Sequence, residues 1–91
     1  MNQDSRRRWV EIFSALASEP RLQIVEMLAQ KEVSCREVLA ELSLSQPTIS
    51  YHLGKLEQAG VLVKEKTGTR NCYRLDDHLT RLVTILPKGE N

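Results

Sequence analysis

Ninety-one residues, 41% hydrophobic and 27% charged, describe one globular domain near the small end of what sustains its own core, so a partner subunit would help it. No apolar run reaches the roughly 18 residues of a membrane-spanning helix, and the polar stretch Met1 to Arg8 leads into no signal-like apolar core, so a cytoplasmic protein without a membrane role is expected. The net charge of +1 is low for a nucleic-acid binder, but residues 45–74 carry five basic and two acidic side chains, which places the positive excess in the middle third.

In chain order, Trp9, Ile12, Phe13 and Leu16 recur at helical spacing and predict a first helix over about 5–17, closed by Ser18-Glu19-Pro20. Ser18 can cap a second helix with Pro20 in its first turn. Leu22, Ile24, Val25, Met27 and Leu28 lie on more than one side of it, so it is read as central and the most buried. Ser34-Cys35-Arg36-Glu37 has the pattern of a capping box and opens a third helix with Cys35, Val38, Leu39 and Leu42 inward. A fourth begins after Ser45, tolerates Pro47 in its first turn, turns Ile49, Leu53 and Leu56 inward, and stops at Ala59-Gly60.

Beyond Gly60 the pattern becomes extended. Val61 to Lys66 and Arg70 to Leu75 bracket Gly68 and predict a two-stranded hairpin, after which Asp76 or Asp77 can cap a last helix bearing Leu79, Leu82, Val83 and Leu86. The whole chain, 1–91, is therefore expected to be a single mainly α domain with a small β-hairpin: a winged helix-turn-helix of five helices and a two-stranded wing, ordered ααααββα. The helix-turn-helix spans about 34–59 and the wing about 61–75.

With its apolar stripe inward, the fourth helix turns a small, polar face outward, free of acidic groups except Glu57 near its far end. Gln46, Thr48, Ser50 and Tyr51 are the candidate readers of DNA bases, since amide and hydroxyl groups pair with base edges in the major groove. Ser45, Lys55, Lys64, Lys66, Arg70 and Arg74 are candidate contacts to the phosphate backbone. His52, beside the inward stripe, has two readings: a packed, hydrogen-bonded histidine at the core edge, or a further phosphate contact.

The strings Ala15-Leu16-Ala17-Ser18-Glu19-Pro20-Arg21-Leu22-Gln23-Ile24, Leu42-Ser43-Leu44-Ser45-Gln46-Pro47-Thr48-Ile49-Ser50-Tyr51-His52-Leu53 and Leu56-Glu57-Gln58-Ala59-Gly60-Val61-Leu62-Val63 resemble the ArsR/SmtB family of bacterial repressors, over about Arg8 to Leu82. The resemblance implies a winged-helix homodimer, built through its first and last helices, that binds an imperfect palindrome in a promoter and is released by an inducer. The residues independently suggest dimerisation helices at about 5–17 and 77–86, because Trp9 and Phe13 on one, with Leu79, Leu82 and Leu86 on the other, exceed what one small core needs.

Family members that bind metal do so through a cysteine pair in the third helix. Here Ser34 and Arg36 stand at the two ligand positions with Cys35 between them, and a guanidinium is no ligand. A second family site, at the start of the last helix, is echoed by Asp76-Asp77-His78, but no further histidine follows. No metal and no cofactor is expected. Cys35 and Cys72 leave open a thiol redox trigger, against the plainer reading that both are small packing residues.

A winged helix used as a protein-contact adaptor would call for an apolar outer face on the fourth helix. An enzyme is the third and weakest reading and none is expected, because the four glycines form no phosphate-cradling loop and neither His52 nor His78 stands in a catalytic motif. The reading is a homodimeric regulator, a repressor of transcription, binding double-stranded DNA, with its inducer unidentified.

Overall fold

The computed structural model describes residues 2–31 and 33–85, the last four of these as helical backbone only. Five helices are present, α1 Gln3–Leu16, α2 Glu19–Leu28, α3 Cys35–Glu41, α4 Gln46–Gln58 and α5 Asp77–Ile85. Strand β1, Val33–Ser34, precedes α3, while β2, Leu62–Thr67, and β3, Arg70–Leu75, form the hairpin between α4 and α5.

Each of the first four helices begins on a side-chain cap that satisfies a backbone N–H left without a helical partner. Asn2 accepts from the Ser5 N–H at 2.8 Å and Ser18 from that of Arg21 at 3.5 Å. The capping box at α3 is complete: the Glu37 N–H donates to Ser34 Oγ at 3.2 Å and the Ser34 N–H donates to Glu37 Oε1 at 2.9 Å. That backbone hydrogen bond, helped by Lys31 at 3.4 Å, holds the Glu37 carboxyl below its ordinary range. At the end of α4, Gly60 adopts φ +81, the left-handed conformation that lets the chain leave the helix directly into β2.

The core draws on every layer. Ile24, Val38, Ile49, Leu56 and Val61 have no solvent exposure, and Val33, Leu53, Leu62, Leu75 and Leu79 are nearly as enclosed. Each such side chain contributes about 1.5–3 kcal/mol of hydrophobic stabilisation. The apolar residues of α1 divide between two directions. Ile12, Ala15 and Leu16 pack inward, whereas Trp9, Val10 and Phe13 remain exposed, with the Trp9 and Phe13 rings stacked at 5.6 Å.

Three expectations need correction. Leu22 is 44% exposed, so α2 buries one flank through Ile24, Val25 and Leu28 instead of being enclosed on all sides. Leu79, expected at a subunit interface, is 3% exposed within the protomer, because the first turn of α5 folds back onto the core and spends that side chain there. Finally, the hairpin is not alone: β1 pairs antiparallel with β3, Val33 opposite Tyr73 and Ser34 opposite Cys72, giving a three-stranded sheet ordered β1-β3-β2. Two strands in isolation would be marginal in water, and the third strand together with the helical layer secures the base of the wing.

Candidate nucleic-acid interface

The helix-turn-helix is formed by α3 and α4. Ser45 caps α4 by accepting from the Thr48 N–H at 3.4 Å, and its hydroxyl also meets the Thr48 hydroxyl at 2.9 Å. Both groups therefore serve the helix start as well as facing outward. Gln46 and Ser50 are exposed and Tyr51 is 58% exposed, while Ile49, Leu53 and Leu56 between them are buried. Lys55 Nζ lies 5.6 Å from the Tyr51 ring centroid, which leaves the ammonium solvated at the rim of this face.

His52 turns away from that face. Its Nδ1 lies 3.3 Å from Arg21 Nη1, and Arg21 Nε donates to the Ala15 carbonyl at 2.6 Å. A guanidinium can only donate, so Nδ1 is the acceptor and the imidazole is neutral. Burial, then the neighbouring Arg21 charge, lowers the His52 pKa below 6.5. The geometry is that of a hydrogen-bonded histidine at the core edge.

The wing distributes its cations over two faces. The register sets Leu62 opposite Leu75, Lys64 opposite Tyr73 and Lys66 opposite Asn71, so Lys64 and Lys66 extend the face whose inner end is buried. Arg70, Cys72 and Arg74 alternate onto the other face with Glu65. Arg74 differs from the expected free phosphate contact: its Nε lies 3.3 Å from Glu65, and its Nη1 lies 3.4 Å from Asp77 and donates to the Leu75 carbonyl at 3.4 Å. Those carboxylates already neutralise it. Arg70 stands at the turn, where Gly68 at φ +66 is the first of two residues between the paired Thr67 and Arg70, the glycine position of a type II′ hairpin turn.

The two cysteines are free thiols, each half-buried. Cys72 shares a face with Ser34, whereas Cys35 packs on the core side and acts electrostatically on Tyr73, whose hydroxyl pKa is raised first by burial. Among the described residues, no group of three or more His, Cys, Asp or Glu side chains could hold a metal ion. Asp76 instead accepts from the His78 N–H and contacts its ring nitrogen, both at 3.0 Å, at the start of α5.

Residues 10–64 match the family of bacterial regulatory proteins named for arsR. The chain belongs to the ArsR family. Over 78 residues, 84% of the chain and 88% of the relative, it is 37% identical to an uncharacterised HTH-type transcriptional regulator of Methanocaldococcus jannaschii. It is 38% identical to the arsenical resistance operon repressor of Escherichia coli K12 over 77% of the chain and 61% of that protein. Several of these curated relatives are longer: the matched region spans 58% of KmtR and 50% of SmtB from Mycobacterium tuberculosis.

Among solved structures, HlyU from Vibrio cholerae superposes with TM-score 0.83 at 31% identity, covering 93% of this chain and 92% of that one. A homodimeric winged helix-turn-helix DNA-binding domain from Mycobacterium bovis gives 0.79 at 26% identity, covering 93% and 85%. This ArsR-family chain is thus a winged helix-turn-helix transcriptional regulator of a DNA-binding, non-enzymatic class.

Within that frame the structure brings Gln46, Thr48, Ser50, Tyr51, Ser45 and Lys55 together on α4 and puts Lys64, Lys66 and Arg70 on the wing. His52 and Arg74 already have internal partners, Arg21 for the first and Glu65 for the second. Sequence reasoning missed Arg21, whose partners are supplied by α1 and α4; its place three residues after the capping Ser18 was the only local signal. It also missed Val10, 58% exposed beside Trp9 and Phe13, which an inventory of apolar residues off the inward stripe would have found.

Proposed function

We propose that the protein is a homodimeric repressor that lays the outer face of α4 in the major groove of a palindromic promoter operator, with the wing on the adjoining phosphates. The observation that carries this reading is the exposed Gln46–Lys55 face of α4, polar and free of carboxylates, followed directly in the chain by a wing whose Lys64, Lys66 and Arg70 are solvent-facing. Gln46, at the first turn, is the best placed to pair with adenine, Thr48 and Ser50 offer hydroxyls, and Tyr51 offers a ring and a hydroxyl.

Dimerisation is supported by the exposed Trp9, Val10 and Phe13 patch on α1. Leu86, also expected there, lies outside the described residues, as does the side chain of Leu82. No helix of the described residues is long and apolar enough to cross a membrane, in keeping with a cytoplasmic site of action. A thiol trigger at Cys35 and Cys72 has weaker support, because both are free thiols and Cys35 packs against the core. No observation favours the adaptor reading.

The test is selection of bound duplexes from a random library with purified protein. The expected result is a consensus of two inverted half-sites whose centres lie about 34 Å apart, one helical turn of DNA. Enrichment of no sequence at any salt concentration would overturn the proposal, and a single unrepeated half-site would remove the dimer from it.

A further inference from the structure

One side chain ties the recognition helix to the two helices behind it. Arg21, at the start of α2, donates through Nε to the Ala15 carbonyl in the last turn of α1 and through Nη1 to His52 in the middle of α4. His52 is adjacent in sequence to Tyr51, meets it edge-on at 5.5 Å, and flanks the buried stripe of Ile49, Leu53 and Leu56. Any change in the His52–Arg21 contact is therefore a change in the seating of the helix that presents Gln46 and Ser50.

The contact exists in one protonation state only. A neutral imidazole offers Nδ1 as an acceptor, whereas a protonated one carries N–H groups on both ring nitrogens and a positive charge facing a guanidinium. We infer that Arg21 is a positioning residue for the recognition helix, and that protonation of His52 breaks its hold and makes operator binding sensitive to mildly acidic pH. This inference rests on α4 being the DNA-reading helix.

The other charges around the ring do not replace this pairing. Arg21 is the charged group in hydrogen-bonding contact with the imidazole, while Glu11 of α1 and Lys55 of α4 line the groove beside Arg21 and Tyr51. Among the described residues, Glu19 and Glu26 of α2, Arg36, Glu37 and Glu41 of α3, and Lys64, Glu65 and Lys66 of β2 make no hydrogen bond or ion pair with the ring. Among the described residues no carboxylate hydrogen-bonds His52, so a protonated ring has no acidic partner already in place.

The sign of the effect separates this role from a phosphate contact. Where the bound state excludes the proton, operator affinity falls as pH drops below the imidazole's pKa, approaching tenfold per pH unit. A histidine that touched phosphate would do the opposite, binding DNA more tightly as it acquired charge.

The experiment measures affinity for a selected operator duplex and for a scrambled duplex from about pH 7.5 to about pH 5, a span that brackets the ordinary histidine range. Wild type is expected to lose operator affinity toward acid while its weaker, non-specific binding holds or rises. His52→Gln, which keeps an acceptor but does not titrate, should flatten the operator profile whatever its absolute affinity, and His78→Gln should leave the slope in place. Arg21→Met should flatten it too.

The ring proton resonances of His52, followed by NMR in free and operator-bound wild type, supply a measurement that needs no variant to fold. A bound-state pKa below the free value supports the inference. A slope that survives in His52→Gln, or a pKa that rises on binding, overturns it. Failure of wild type to prefer any duplex at neutral pH would instead sink the DNA-binding reading itself.

Discussion

Arg70 and Arg74 lie on one face of one strand, yet they differ in what they can offer a duplex. Arg74 is held by Glu65 and Asp77, so moving it to a phosphate means giving up partners it already has, whereas Arg70 is exposed at the turn. The Arg74 ion pairs are partly solvated and individually weak, of the order of 0–1 kcal/mol, but they set its direction. Arg70→Ala is expected to weaken binding to all duplexes alike and to lower the salt dependence of log Kd by about one. Arg74→Ala should leave that slope nearly unchanged. Mobility-shift titrations at several salt concentrations check the pair, and equal loss of slope in both variants would contradict the assignment.

At the scale of single elements, α4 contains one residue that weakens it as a helix. Gly54 stands in the interior of Gln46–Gln58, and a Cβ built on it meets no neighbouring atom within 4 Å. Glycine loses more backbone freedom on helix formation than any other residue, so Gly54→Ala should stabilise the free protein by about 0.5–1 kcal/mol, seen as a higher urea midpoint. A lower midpoint would mean the space is occupied after all. If operator affinity drops while stability rises, the backbone at Gly54 closely approaches the duplex.

The elements that could be read from the residues are those whose signals are local. The caps Ser18, Ser34 and Ser45, the stripe Ile49, Leu53 and Leu56, and the glycines at 60 and 68 each act within a few residues of themselves, and the structure has all of them in those roles. Strand β1 was not legible, because two residues carry no periodicity and Val33–Ser34 become a strand only when β3 arrives beside them. Arg21 and His52 are 31 residues apart, and nothing local to either announces the other. The same holds for Leu79, whose helical spacing fits a core and an interface equally well. Of the candidate site, the outward polar face of α4 is legible in the residues; the internal partners of Arg74 and His52 are not.

For the whole molecule, the exposed apolar surface is the feature that one protomer leaves unexplained. Trp9, Val10 and Phe13 together form a patch that a small soluble domain would seldom present unless something covers it. Phe13 is 54% exposed, so Phe13→Asp should preserve the protomer fold and shift the protein to monomer in sedimentation equilibrium, with loss of affinity for a two-half-site operator. Circular dichroism distinguishes this from unfolding. A variant that remains dimeric, or a wild type that is itself monomeric at micromolar concentration, would remove α1 from the interface.

The pairing of Val33 and Ser34 with Tyr73 and Cys72 reaches beyond the wing. Ser34 is at once a strand residue on β3 and the cap of α3, so the first helix of the helix-turn-helix starts from the sheet itself. That pair joins segments about forty residues apart, so the contact is a non-local one that depends on α4 and the hairpin lying between them. Loosening of the β1–β3 pair would therefore be felt at once at the start of α3 and at the base of the wing, which share that anchor.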